Sequence, residues 1–379
     1  MQYSLQDDES FKNWISAFRP KALGAGIDAD LYDCAMLGRE LQVIALEKDR
    51  DQPEFTNRIW DYLDRAVSES CIKNGQKMLA LHGALFAILE DDFGVSAIII
   101  AAILGIESAY GSYRGNFLTL DCLATLAFDA RRGAFFEAEL IAALRILAAG
   151  DSAPNDLRGS WAGAMGHGQF MPSSYLENAV DYDQNGKRDI WSDDPTDALA
   201  SIAAYLQKAG WKKGAPWGAE MWLSLDFEWA LYDMETRRPV QNWLARGLTP
   251  LHHNLPLDMP AHLYLPAGHQ GPAFLLCDNF AVIKSYNASD AYALAVAHLA
   301  DRLKGGPAIT KIWPRHARAL SRPEVAELQR LLNQAGFDTK GADGKIGPNT
   351  LVALQKYQFS RGWPRDGFVT IGVLEGLRG

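Results

Sequence analysis

From Ala97 to Ile106 the chain reads AIIIAAILGI, ten apolar or glycine positions in a row, and the next residue is Glu107. A segment with no polar side chain has no face to offer water. A membrane-spanning helix would need about 18–20 such residues. The run therefore predicts a helix buried on all sides inside a globular core, with a carboxylate at its end. Enclosing such a helix takes other apolar surfaces, and the first 150 residues supply them at helical spacing. Phe11-Trp14-Ile15-Phe18, Met78-Leu81-Leu85-Leu89 and Phe136-Leu140-Leu144-Leu147 each read as one face of a helix. Strand-like alternation is scarce, so the expected fold is mainly α.

Downstream, Gly150 to about Asp194 is rich in glycine, serine and aspartate. Asp197 to Ala209 reads as a helix with Gly210 as its C-cap. From Gly214 to Gly271 prolines, tryptophans and glycines break the pattern into short, irregular pieces. Tyr292 to Leu303 is helical again, and Gly305-Gly306-Pro307 stops it. The expected domains are residues 1–305, a linker over 306–322 and a small helical module over 323–379. A chain of 379 residues accommodates that division.

Glu107 stands in Gly105-Ile106-Glu107-Ser108-Ala109-Tyr110-Gly111. A carboxylate at the end of a buried helix loses hydration, which favours its protonated form. Cleavage of a glycosidic bond requires an acid that still holds its proton near neutral pH. The bland alternative is a helix-terminal glutamate making a local hydrogen bond. The segment Gly159 to Tyr175, GSWAGAMGHGQFMPSSY, weighs against it. Its glycines let backbone approach a ligand closely, and its hydroxyl, amide and aromatic groups offer what a sugar binds.

These two segments together resemble the membrane-bound lytic murein transglycosylase B family. Gln52-Pro53-Glu54-Phe55, Trp60-Asp61-Tyr62-Leu63-Asp64, the loop at Asp181, Tyr286-Asn287 and Tyr292 extend the match over residues 10–303. The resemblance implies a goose-lysozyme-like α-helical catalytic domain with irregular insertions. It assigns Glu107 as the single acid–base catalyst, and Ser160, Gln169, Tyr205, Tyr286, Asn287 and Tyr292 to the sugar subsites. It implies cleavage of the β-1,4 bond between N-acetylmuramic acid and N-acetylglucosamine, with closure of a 1,6-anhydro ring by the muramic acid's own C6 hydroxyl. One carboxylate suffices where the substrate supplies both nucleophile and stabiliser. A hydrolytic muramidase and a non-catalytic wall-binding scaffold are the alternatives.

Asp181, Asp183 and Asn185 occupy positions 1, 3 and 5 of an EF-hand-like loop with Gly186 at the sharp turn. Lys187 stands at position 7, but position 12 is Ser192 rather than a bidentate glutamate. The family places its last ligand at Asp197, with Asp193 and Asp194 as rivals, and the implied ion is a structural Ca2+. A solvated turn without metal is the plainer reading. No organic cofactor is expected.

Glu327 to Phe337 is an amphipathic helix stopped at Gly336, and the turn Asp343-Gly344-Lys345-Ile346 precedes a helix from Leu351 to Phe359. Asp366-Gly367-Phe368-Val369 echoes that turn. This unit resembles the three-helix peptidoglycan-binding domain type 1. It is basic, with 11 Lys+Arg against 6 Asp+Glu from Gly306 onward, while the net charge of the whole chain is −9. The acidic balance argues against nucleic acid as a partner, and glycan strands are the expected one, bound by a monomer. The N-terminus lacks a basic region followed by an apolar stretch. A periplasmic location, anchored to the outer membrane in a lipid-bearing precursor, is what the resemblance implies. Cys34, Cys71, Cys122 and Cys277 match no metal spacing, and His82, His252, His253 and His298 form no triad or metal pattern.

Overall fold

The computed structural model describes residues 5–50, 58–229, 232 and 236–379, so the Gln52–Phe55 part of the family motif lies outside the described residues. The chain divides into two compact units, Met1–Phe55 with Glu69–Lys213, and Thr56–Ser68 with Gly214–Gly379.

Helices α1 (Leu5–Gly24), α2 (Ala29–Met36) and α3 (Val43–Arg50) open the first unit, while α4 (Ile59–Ala66) belongs to the second. Then follow α5 (Glu69–Leu81), α6 (Gly83–Phe93), α7 (Ala97–Ser108), strand β1 (Phe117–Leu118), α8 (Thr119–Phe128) and α9 (Gly133–Ala149). Strand β2 (Arg158–Gly159), α10 (Pro172–Asn178) and α11 (Thr196–Lys208) complete it. The apolar run is α7, packed against α5, α6 and α11. Ile100 through Leu104 are 0 % exposed. At roughly 1.5–3 kcal/mol for each large side chain buried, Ile100, Ile103 and Leu104 make this helix a main contributor to the core. The Glu90 carboxylate caps its start by accepting the Ala97 N–H at 2.9 Å.

The helical faces read around Phe11 and Phe136 are the buried ones, with Phe11, Ile15 and Phe18 on α1 and Phe136, Leu140, Leu144 and Leu147 on α9. The stripe from Met78 to Leu89 is not one helix. His82, at φ −110° and ψ 24°, separates α5 from α6. Leu81 is 78 % exposed, and the buried positions are Ile72, Phe86 and Leu89. Of the four positions in the stripe, Leu89 is buried, Met78 and Leu85 are half-buried, and Leu81 alone is exposed.

The second unit holds a sheet that the sequence reading described only as short pieces. Strands β3 (Gly218–Leu223), β4 (Arg238–Pro239), β5 (Leu248–Pro250), β6 (Pro260–Tyr264) and β7 (Ala273–Leu276) lie in the order β4-β6-β7-β3-β5. Neighbours are antiparallel, with Leu275 opposite both Ala219 and Leu263. Every residue of β7 and the first four of β3 are buried. Strands covered on both faces show no alternation of polar and apolar residues, and that explains their silence in the sequence. Trp243, on α12 (Val240–Leu244), is fully buried and donates its indole N–H to the Ala261 carbonyl at 2.9 Å. Helices α13 (Asp278–Tyr286) and α14 (Asp290–Leu303) pack together, and α14 against α4.

Residues 309–318 follow this unit closely. The buried Glu220 carboxylate accepts the backbone N–H groups of Thr310 and Lys311. Trp313 packs on Trp60, with ring centroids 5.9 Å apart. Arg315 forms a two-pronged pair with Asp64, at 2.7 and 2.9 Å. Helices α15 (Arg322–Gln334), α16 (Pro348–Ser360) and α17 (Ile371–Arg378) then close over a core of Leu328, Leu332, Leu354, Tyr357 and Leu374. A capping box of Ser321 and Glu324 starts α15. None of the four cysteines forms a disulfide.

Candidate active site and metal loop

Glu107 sits half-buried in the last turn of α7, immediately after the buried stretch. The chain then passes through three successive left-handed residues, Ala109 (φ 48°), Tyr110 (φ 58°) and Gly111 (φ 82°). Only glycine adopts this region without cost, so Ala109 and Tyr110 hold strain that surrounding contacts must sustain. Those contacts are specific. The Ala109 N–H reaches the Gly105 carbonyl at 3.0 Å and the Tyr110 N–H reaches that of Leu104 at 3.2 Å. The Gly111 N–H binds the Ser108 hydroxyl at 3.0 Å. The Tyr110 ring folds back over Gly105, where a Cβ would stand 2.5 Å from its Cζ. Glycine at 105 is thus a requirement of close approach.

The glycine-rich segment lies in the same unit. Gly115 and Gly159 meet so closely that a Cβ on Gly115 would be 2.2 Å from the Gly159 carbonyl carbon. Ser160 Oγ accepts the N–H groups of Ala162 and Ala164 at 3.3 and 3.1 Å. Gln169, itself left-handed at φ 49°, donates its side-chain amide to the carbonyls of Arg114 and Gly166 at 3.1 and 2.7 Å. It ties this segment to the one that follows Glu107. Tyr205, half-buried on α11, packs its ring 6.4 Å from that of Phe170.

Two residues the sequence reading did not select complete the arrangement. The Arg114 guanidinium donates to the carbonyls of Trp191 and Ser192, both at 2.7 Å, and pairs with Asp193 at 2.8 Å. His167 is 4 % exposed and donates Nε2–H to the Ser192 carbonyl at 2.8 Å. Burial pushes its imidazole pKa down; the Ser192 carbonyl opposes this and Arg114 adds to it. No spacing rule marks a lone arginine or histidine that binds backbone carbonyls.

The remaining expected subsite residues belong to the second unit. Tyr286 is half-buried at the end of α13, and Asn287 is exposed at its C-cap. Tyr292 is 3 % exposed in the first turn of α14, with its N–H on the Ser289 hydroxyl at 3.3 Å.

Carboxylate oxygens of Asp181, Asp183 and Asp197 lie within 4.8 Å of one another. Asp197, at the start of α11, is 3 % exposed and accepts the N–H groups of Tyr182, Asp183 and Asp189. Burial raises its carboxyl pKa, the three N–H bonds oppose the rise, and the Asp183 charge adds to it. Asp193 and Asp194 stand outside the cluster, the first on Arg114 and the second accepting from Thr196. Asn185 Oδ1 accepts the Lys187 N–H at 3.0 Å within the same loop. Three like charges this close repel one another, and hard oxygen donors on a tight loop are the donor set a divalent cation of the calcium type prefers.

Residues 10–301 match the family described as Transglycosylase SLT domain, and residues 321–377 match the putative peptidoglycan binding domain. The membrane-bound lytic murein transglycosylase B of Escherichia coli (strain K12) is 36 % identical over 249 residues, 65 % of this chain and 68 % of that protein. SltB3 from Pseudomonas aeruginosa, solved in complex with NAG-anhNAM-pentapeptide, superposes with a TM-score of 0.92. Its identity is 45 %, over 97 % of this chain and 99 % of that one. Escherichia coli Slt35 in complex with calcium has a TM-score of 0.65 and 29 % identity, over 80 % of this chain and 95 % of that one. A mostly helical lysozyme-like fold with a small helical C-terminal module is thereby the class to which this molecule belongs. The chain is a member of the SLT-domain lytic transglycosylase family, and it is an enzyme of that kind.

Proposed function

We propose that this enzyme cleaves the β-1,4 bond between N-acetylmuramic acid and N-acetylglucosamine in peptidoglycan, with Glu107 as its single acid–base group. The observation that carries the reading is the placement of Glu107. It is half-buried at the end of a helix whose preceding residues are excluded from water, and it is followed by a strained turn. Glu107 protonates the leaving glycosidic oxygen as the C1–O bond breaks. The acetamido carbonyl of the muramic acid stabilises the cationic centre at C1. The ionised Glu107 then takes the proton of the C6 hydroxyl as that oxygen bonds to C1, which closes the 1,6-anhydro ring without consuming water. A tethered hydroxyl has a high effective molarity, so water is the weaker competitor. Ser160, Gln169, Tyr205, Tyr286, Asn287 and Tyr292 are assigned to the sugar subsites.

Catalysis is assigned to residues 1–305, a connection to 306–322 and wall binding to 323–379. Among the described residues no helix is long and apolar enough to cross a membrane. The substrate's location makes the periplasm the site of action, and the enzyme acts as a monomer. Asp181, Asp183, Asn185 and Asp197 are assigned as side-chain ligands of a structural Ca2+, with Lys187 contributing its backbone carbonyl as position 7 does in such loops. The role of the ion is to fix the loop whose far end carries Trp191 and Ser192.

The test is mass spectrometry of fragments released from purified sacculi. The wild type is expected to release 1,6-anhydro ends. Glu107→Gln is expected to lose about 10²–10⁴-fold in rate, the usual worth of a general acid–base group. Reducing ends in place of anhydro ends would identify a hydrolytic muramidase, and undiminished release by Glu107→Gln would overturn the assignment.

A further inference from the structure

The turn that leaves the catalytic helix is pinned from outside by one imidazole. A Cβ built on Gly111 would lie 2.3 Å from Cε1 of His167 and 2.6 Å from Nδ1, so the ring occupies the space that a side chain at 111 would fill. The same ring donates Nε2–H to the Ser192 carbonyl, and its backbone N–H binds the Ile190 carbonyl at 3.0 Å. Nδ1, the acceptor nitrogen of the neutral ring, is buried without a hydrogen-bond partner, on the side that packs against Gly111. Arg114 anchors the far end of the turn to the carbonyls of Trp191 and Ser192. Asp189 holds those two residues by accepting their N–H groups at 2.9 and 3.0 Å. The left-handed turn over residues 109–111 is therefore braced against the segment 190–192, and the brace that touches it directly is His167.

We propose that His167 is a positioning residue for Glu107: its ring, wedged between Gly111 and the Ser192 carbonyl, holds the strained turn in the form that aims the carboxylate. It touches neither substrate nor reacting atoms. The inference rests on the reading of Glu107 as the acid–base group. Misplacing a catalytic group by about 1 Å costs on the order of 10²-fold in rate, and a relaxed turn leaves the more distant sugar contacts in place. The signature is thus a loss in kcat with KM held.

Initial rates on solubilised glycan strands test this with His167→Ala, His167→Phe and His167→Gln, alongside Glu107→Gln. His167→Ala is expected to lower kcat about 10- to 100-fold with KM within about twofold of the wild type. His167→Phe keeps a ring against Gly111 and should recover most of that loss. His167→Gln keeps a donor without the ring and should recover less. Should His167→Ala fail to fold, the ranking of Phe above Gln carries the test. Wild-type kcat in all three variants, with Glu107→Gln inactive, would overturn the role of His167 and leave Glu107 standing. Full activity of Glu107→Gln would instead remove the reading beneath it.

Discussion

Gly105→Ala isolates the contact that fixes the first step of the turn that leaves α7. Position 105 lies inside α7, where alanine is intrinsically better than glycine by about 1 kcal/mol. Against this, the new Cβ would meet Tyr110 Cζ and its hydroxyl oxygen at 2.5 Å and Cε1 at 2.9 Å. The ring end must retreat by nearly 1 Å to reach ordinary contact distance, away from its position 3.7 Å from the Cys71 sulfur. Overpacking of this kind costs about 1–3 kcal/mol. The net effect in the wild type is then a loss of about 0–2 kcal/mol, the lower end applying if the ring swings freely. In a Tyr110→Ala background the clash is gone, and the same substitution should stabilise by up to about 1 kcal/mol. The sign reverses, and the coupling between the two sites is about 1–3 kcal/mol. Urea denaturation of the four proteins of this cycle measures it. The same change in stability for Gly105→Ala in both backgrounds would refute the account of why glycine stands there.

Added Ca2+ should raise the melting temperature, with about 2.7 kcal/mol of stabilisation at a hundredfold excess over Kd, and Asp181→Ala with Asp183→Ala should abolish the rise. For Gln329→Ala, hydrogen exchange at the Gly344 amide is the readout. That buried N–H, now on the Gln329 side-chain oxygen at 2.9 Å, loses its partner and should exchange about 10- to 100-fold faster. Burial pushes the Asp366 carboxyl up, but bonds from the His269 side chain and backbone, the Phe368 N–H and the Gln358 amide outweigh it and hold the pKa below the usual carboxylate range. A lowered folded pKa contributes stability above the unfolded value near about 4 and loses it as pH falls further. Acid unfolding of the C-terminal module should begin at a higher pH in His269→Ala, and Asp366→Asn should remove that part of the pH dependence.

What the sequence disclosed and what it withheld divide along physical lines. The apolar run before Glu107 could only be an internal helix, and α7 is one. The aspartates at 181 and 183 announced a loop by their alternation, and Asp197 joins them in space. The sheet left no trace, because β3 and β7 are sandwiched and β4 has only two residues. Leu81 misled because it is the last residue of α5, whose buried positions are Ile72 and Gly75, and it lies 78 % exposed. Neither Arg114 nor His167, which stands within the glycine-rich segment, was marked as a site residue by any spacing. Each works by donating to backbone carbonyls, and a carbonyl looks the same at every position of a sequence.

The internal echo in the C-terminal module has a physical cause that spacing alone did not reveal. In the first copy Gln329 reaches from α15 to bind Asp343 Oδ1 at 3.2 Å and accept the Gly344 N–H at 2.9 Å. In the second copy Gln358 reaches from α16 to bind Asp366 Oδ1 at 2.7 Å and accept the Gly367 N–H at 2.8 Å. The repeated unit is therefore a glutamine clamped on an Asp-Gly turn, which satisfies a buried N–H in each copy. The copies differ in their surroundings: Asp343 is exposed at the surface, whereas Asp366 turns Oδ2 to both the backbone N–H of His269, at 2.9 Å, and its Nδ1, at 2.6 Å. Gly268 permits that approach, since a Cβ there would come within 2.6 Å of the same oxygen. One Asp-Gly turn thus serves only its own half of the module, while the other also fastens the module to the loop after β6.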